Sequence, residues 1–247
     1  MVKLLSLLIL RQKNMQADIF GKAIKDYYIH KKENAKIIVH SPDFDDDEIP
    51  VSYLFRGFNE MPKIEQIALQ QAKGNILEVG CGAGSHALYL QSQNKNVTAI
   101  DISPLSIQIA TKRGVKNAIC ADFFNFESSK PFETILILMN GIGIAGKTSK
   151  LYTFFEQAKK LLSPNGQILV DSSDLIYLFE DEDVSDRSKY YGEMTYQISY
   201  GDTKSEEFDW LYLDFEQLKL VAEMNGFKVN LIKKGSHFDY LAQLFLV

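Results

Sequence analysis

Cysteine is scarce in this chain: Cys81 and Cys120 are the two among 247 residues. Two thiols cannot staple a disulfide scaffold, and their placement forms no metal-type spacing. A reducing, cytoplasmic setting follows as the expectation. The four histidines, His30, His40, His86 and His237, do not cluster in sequence. The acidic run Asp45-Asp46-Asp47-Glu48 lacks the glycine and the spacing of a calcium loop, and reads as solvated. No metal site is expected. Positive charge is not in excess either. A net charge of -5 gives no general attraction for a nucleic acid. The apolar run LLSLLIL (4–10), which follows Lys3, is too short to span a bilayer. It stops at Arg11-Gln12-Lys13 without a small-residue cleavage site. Met15 offers an alternative start, and residues 1–14 are expected to be dispensable.

What is present suits a packed domain. The chain is 46% hydrophobic and 24% charged, with 16 Phe and 12 Tyr. That supplies a large core and argues against long disordered stretches. Charge is unevenly spread. Residues 1–40 carry eight Lys/Arg against three acids, and residues 180–216 carry twelve acids against three bases. A basic arm can touch phosphates, but a solvated helix face explains the same pattern.

Ile19, Phe20, Ala23, Ile24, Tyr27 and Tyr28 lie at helical spacing within residues 16–30. KIIVH (36–40) reads as a short strand, and SPDFDDDEIP (41–50) as a loop bounded by prolines. Pro62 suits the first position of a helix over 62–72. From Gly74 onward, strands at 75–80, 96–101, 117–122, 133–139 and 167–172 alternate with helices at 85–93, 104–113 and 149–162. Ser163-Pro164-Asn165-Gly166 reads as the turn that closes the last of these helices. This alternation predicts a doubly wound α/β fold, a mostly parallel sheet with helices on both faces. Two strands at 193–200 and 207–213, joined by a turn at Gly201-Asp202, predict an inserted antiparallel hairpin. A helix at 214–225 and strands at 227–233 and 238–246 complete the chain.

The chemistry concentrates in Gly80-Cys81-Gly82-Ala83-Gly84, between an apolar strand and a helix. Glycine lets the backbone turn sharply and approach a ligand closely. The helix N-terminus beyond presents free N–H groups to an anionic ligand. Dinucleotide folds place glycines at positions one, three and six of such a loop. Here position six is Ser85, a departure that disfavours a nicotinamide or flavin enzyme without excluding it. Glu78, one spacer and Gly-x-Gly-x-Gly together resemble the first motif of the class I S-adenosylmethionine (SAM)-dependent methyltransferases.

That resemblance covers roughly 74–247. It implies a seven-stranded sheet ending in an antiparallel strand, a methyl-transfer activity and SAM as cofactor. Residues 1–73 become an N-terminal helical extension or lid, with the hairpin near 190–213 as an insertion. Asp101 ends the strand VTAID, where a carboxylate can accept from both ribose hydroxyls; Ile102 follows it. The same acid would serve a dinucleotide. Asp122, read at the end of AICAD (118–122), and Phe123 occupy positions that the resemblance assigns to adenine, which favours SAM over NAD. Strand-end aspartates also cap helices, so each has that alternative. After the fourth strand, Asn140-Gly141-Ile142-Gly143 lies where the resemblance places the methionine part of the cofactor and the substrate. The amino-methylating Asn-Pro-Pro motif is broken here, which removes a specific case for base or glutamine amide acceptors.

The acceptor itself is not legible. Direct displacement at a sulfonium needs alignment more than proton transfer, so no catalytic base is assigned. Asp171 and Asp174 lie near the site but could cap the following helix. Arg56 with Tyr53 could hold a carboxylate, or stand at the surface. Tyr191 and Trp210, with Tyr190, Tyr196, Tyr200 and Tyr212 of the hairpin, could hold a flat substrate or form a small core. A small-molecule acceptor methylated at O, N or C is the expectation. A non-catalytic SAM-binding scaffold and an NAD-linked oxidoreductase are the alternatives.

Overall fold

The computed structural model describes residues 18–179 and 189–247. The apolar run at 4–10, the alternative start at Met15 and much of the acidic stretch after 180 lie outside them. No helix among the described residues is long and apolar enough to cross a membrane.

Seven strands form the main sheet: β3 (Asn75–Val79), β4 (Asn96–Asp101), β5 (Ala118–Cys120), β6 (Phe132–Ile137), β7 (Leu162–Ser173), β11 (Phe227–Lys234) and β12 (Asp239–Leu246). Their order is β11-β12-β7-β6-β3-β4-β5. The central pairs are parallel, while β12 runs antiparallel to both β7 and β11. Strand residues alternate between two cores, because side chains of a strand point to opposite faces in turn. Leu77, Ile135, Ile168 and Ala242 face α5 (Leu151–Leu161) and α6 (Phe215–Met224), which contribute Phe154, Phe155, Leu218 and Ala222. Ile76, Leu136, Leu169 and Leu241 face α2 (Lys63–Gln71), α3 (Ser85–Ser92) and α4 (Pro104–Arg113). The chain winds outward from β3 to β5 and then returns to β6 on its other side. The crevice between the ends of β3 and β6 is therefore the reversal point where such sheets bind ligands.

A second sheet explains the two segments outside this core. Its strands are β1 (Lys36–His40), β2 (Asp47–Pro50), β8 (Glu193–Tyr200), β9 (Thr203–Lys204) and β10 (Phe208–Leu211), in the order β10-β8-β1-β2 with β9 against β8. The hairpin exists as expected, with Phe208 opposite Tyr196 and Trp210 opposite Met194. It also pairs with the N-terminal segment, Val39 opposite Ile198. The structure divides the described part of the N-terminal extension. Helix α1 (Ile19–His30) packs with β1 and β8 through Ile24, Ile37 and Ile198, and this layer touches Ala83 of the glycine loop. Helix α2 belongs to the main sheet instead.

Three local readings change. The loop 41–50 contains β2, because Asp47–Pro50 finds a ladder along β1. The turn 163–166 does not end the pairing of its strand: Leu162 still pairs with Phe132, Gln167 resumes opposite Thr134, and the intervening residues bulge. β5 stops at Cys120, so Asp122 sits in the turn beyond it rather than at the strand end.

Candidate active site

The glycine loop leaves β3 at the reversal point. Gly80, Gly82 and Gly84 all have positive φ, 75°, 52° and 84°. The N–H groups of Gly80 and Cys81 donate to the Ile100 carbonyl at 2.9 and 3.0 Å, folding the loop around the end of β4. Side chains added at Gly80 or Gly82 would meet nothing within 4 Å, so this backbone faces open space. Gly84 differs: a Cβ there would lie 2.6 Å from Val115 Cγ2, so α3 seats closely on the β4–β5 crossover. Arg113 donates to the Ala83 carbonyl at 2.6 Å and braces the loop from behind. The Cys81 side chain is buried, and burial pushes its thiol up, which leaves it an inert packing group.

Asp101 lies beside this backbone. Its Oδ2 accepts from Gly82 N–H and its Oδ1 from Ser103 N–H, each at 2.8 Å. Burial raises its carboxyl above the ordinary value despite these bonds. Ser103 Oγ donates to Asp18 Oδ2 at 2.8 Å, so the residue that caps α1 is tied to the same corner. Ile102 projects outward, 73% exposed. Asp122 caps the short 3-10 helix Phe123–Asn125 through Phe124 N–H at 3.2 Å, and accepts from Asn125 Nδ2 at 2.6 Å. It is exposed at the same sheet edge, while the Phe123 side chain is buried in the core.

Asn140 and Gly141 open the loop after β6. Met139 and Asn140 both have positive φ, 64° and 55°. Asp171, at the end of β7, accepts both of their N–H groups at 3.1 and 2.8 Å. It is no helix cap. Asp174 is the residue that serves the next 3-10 turn, accepting from Ile176 N–H at 2.9 Å. Ser173 Oγ donates to Asn140 Oδ1 at 3.0 Å and fixes that side chain.

Arg56 is not a surface residue: it is 7% exposed. Its Nη2 donates to Glu65 of α2, Nη1 donates to the Tyr53 carbonyl at 2.6 Å, and the guanidinium lies 3.9 Å from the Tyr53 ring centroid. Glu65 also meets His86 Nε2 at 2.8 Å, and His86 Nδ1 lies 3.4 Å from Glu78 Oε1. Arg56, Glu65, His86 and Glu78 thus form one buried ionic chain behind the glycine loop. Two polar atoms of this chain are buried without a hydrogen-bond partner, Arg56 Nε and Glu78 Oε2. A buried polar atom that lacks a partner costs about 1–3 kcal/mol, so each of these two calls for one.

The hairpin candidates separate. Trp210 lies against Gly143, where an added Cβ would overlap the indole at 2.1 Å. It therefore fastens the second sheet to the loop after β6. The Tyr191 hydroxyl lies 2.8 Å from Asp174 and 3.1 Å from Asp214 with one proton to share between them, beside Tyr190, which donates to Asp214 at 2.6 Å. These hydroxyls hold the hairpin base to the sheet edge. Sequence reasoning missed Glu65, Arg113 and the Asp171 contact, and found His86 only as a histidine outside any cluster. No motif marks them, since their partners lie on other elements, from nine residues away for Arg56 and Glu65 to about thirty for Arg113 and Ala83.

Comparison with known proteins agrees with this geometry. A family model described as "Methyltransferase domain" matches residues 70–219. A SAM-dependent methyltransferase from Bacteroides fragilis, solved with S-adenosyl-L-homocysteine, is 48% identical; the match covers 94% of this chain and 96% of that one, with a TM-score of 0.87. An uncharacterized methyltransferase of Staphylococcus carnosus is 25% identical over 194 residues, 77% of this chain and 86% of its own length. The sugar N-methyltransferase KedS8 from Streptoalloteichus shares the fold at 15% identity and a TM-score of 0.57, over 84% of this chain and 96% of its own. Loop, acid pair and relatives lead to one statement: the chain belongs to the class I SAM-dependent methyltransferases.

Proposed function

We propose that this enzyme transfers a methyl group from SAM to O, N or C of a small-molecule acceptor held between the main sheet edge and the second sheet. The observation that carries the reading is the pair of unsatisfied buried atoms, Arg56 Nε and Glu78 Oε2. SAM ends in an amino acid, and its carboxylate and ammonium complement a guanidinium and a carboxylate. The exposed backbone at Gly80 and Gly82 fits the body of the nucleoside. Asp101, with Ile102 beside it, would take the ribose hydroxyls, and Asp122 with the Phe123 N–H the adenine edge.

The bound cofactor supplies an activated methyl group. The residues supply alignment and exclusion of water. Asp171 and Ser173 fix the loop at Asn140 and Gly141, which forms the wall on the acceptor side. The second sheet, seated on Gly143 through Trp210 and on Ala83 through the α1 layer, spans from that wall to the glycine loop. A roof at both ends suits a small acceptor better than a polymer. The acidic hairpin also disfavours a nucleic acid. Asp171 braces that loop, its two oxygens accepting the Met139 and Asn140 N–H groups.

Incubation with methyl-labelled SAM and a fractionated cell metabolite extract tests the reading. Label should pass to a small-molecule fraction. A protein that binds SAM yet labels nothing across a broad extract would favour a scaffold role.

A further inference from the structure

The buried ionic chain holds two residues that the proposed cofactor contacts do not use, Glu65 and His86. We infer that His86 is a positioning residue for the cofactor's amino-acid pole: by bridging Glu65 to Glu78 it holds the Arg56 guanidinium and the Glu78 carboxylate as one matched receptor. This rests on the assignment of Arg56 and Glu78 to that pole.

The four residues come from separate places. Arg56 follows the 3-10 turn Val51–Phe55, Glu65 lies in α2, Glu78 in β3 and His86 in the first turn of α3. The Leu54 carbonyl accepts from Ser85 Oγ at 2.8 Å, which ties the turn before Arg56 to the start of α3, and the side-chain relay Arg56–Glu65–His86–Glu78 carries the link on to the charged groups themselves. Only an imidazolium donates from both ring nitrogens, and both face carboxylates here. Charge gives the same answer. Arg56 and a protonated His86 balance Glu65 and Glu78, whereas a neutral His86 would leave a buried excess of negative charge. Asp171 from β7 and Asp101 from β4 are further acids that face this cluster, and burial raises both carboxyls above their ordinary value. Burial alone would lower the His86 pKa, but the two glutamates outweigh it and hold it up at about 9. Burial would raise Glu65, and His86 with Arg56 keeps it below the ordinary value. His86 Nδ1 faces Glu78 Oε1 at 3.4 Å, and Glu78 Oε2 is the oxygen left without a hydrogen-bond partner.

The test compares two ligands, S-adenosylhomocysteine and 5′-deoxy-5′-methylthioadenosine, which keeps the nucleoside but lacks the amino-acid pole. Affinities are measured by calorimetry for wild type, His86→Gln and Glu65→Gln, with Glu78→Gln and Arg56→Lys as the direct-contact controls. His86→Gln should weaken S-adenosylhomocysteine about tenfold or more and leave the truncated nucleoside within about twofold. Glu65→Gln should do the same, and decides the matter if His86→Gln does not fold. Should His86→Gln and Glu65→Gln spare the preference while Glu78→Gln lowers it, the positioning role is overturned and the pole assignment stands. Equal loss of both ligands would reveal a purely structural His86, and overturns the inference too. If the controls leave the preference unchanged, the pole lies elsewhere and the inference falls with that assignment.

Discussion

Asp171 Oδ1 accepts the Asn140 N–H at 2.8 Å, tying the end of β7 to the loop that leaves β6. Its other oxygen takes the Met139 N–H at 3.1 Å, and both donors sit in left-handed backbone. Consecutive non-glycine residues rarely hold that conformation unless their surroundings fix it. Asp171→Ala should therefore free the loop rather than unfold the sheet. Hydrogen exchange should quicken at the Met139 and Asn140 amides, with a stability loss of about 2 kcal/mol. Unchanged exchange at those two amides would show that the loop holds itself.

Gly143 and Trp210 form the second fastening. Gly143→Ala places a methyl inside the indole and should cost at least about 1–3 kcal/mol in urea unfolding. Trp210→Ala removes the obstacle, so in that background the same substitution should cost little. Additive losses in the double-mutant cycle would contradict the contact.

How legible these features were depends on their range. β3, the glycine loop and α3 are contiguous, so apolar strand, glycine spacing and helix start all fall within residues 75–92. The parallel core followed from the same local signals. What failed to show was pairing across the chain. KIIVH at 36–40 read as a lone strand, because its partner in β8 lies more than 150 residues away and its near partner β2 falls in an acidic, proline-bounded stretch that reads as loop. Glu65 and His86 meet across 21 residues and a change of element, and neither belongs to a motif. Asp122 was read at a strand end because AICAD is continuous in hydropathy; pairing with β4 stops at Cys120.

Asp101 tests the nucleoside half of the site. Asp101→Ala should weaken SAM binding by about 1.5–3 kcal/mol, the scale of hydrogen bonds to a charged group. If affinity held in a folded variant, Asp101 would be only the brace for Gly82 N–H.

His86 ties stability to pH. Its folded pKa of about 9 lies above its ordinary 6.5, so the native state binds the proton more tightly. The stabilisation is complete below about pH 6.5 and is lost as pH rises through about 9. The shift corresponds to roughly 3 kcal/mol. The stability gap between wild type and His86→Gln should therefore be wide at pH 6 and narrow at pH 10. A gap that does not change with pH would mean that His86 is neutral in the fold.

The central claim is that the loop from Gly80 to Gly84, with Glu78, Arg56 and Asp101 around it, receives SAM rather than a dinucleotide. Calorimetric titration of the purified protein with S-adenosylhomocysteine and, separately, with NAD tests it most directly. The account predicts saturable binding of S-adenosylhomocysteine near one per chain and no heat from NAD. Binding of NAD without binding of the sulfur nucleoside would contradict it.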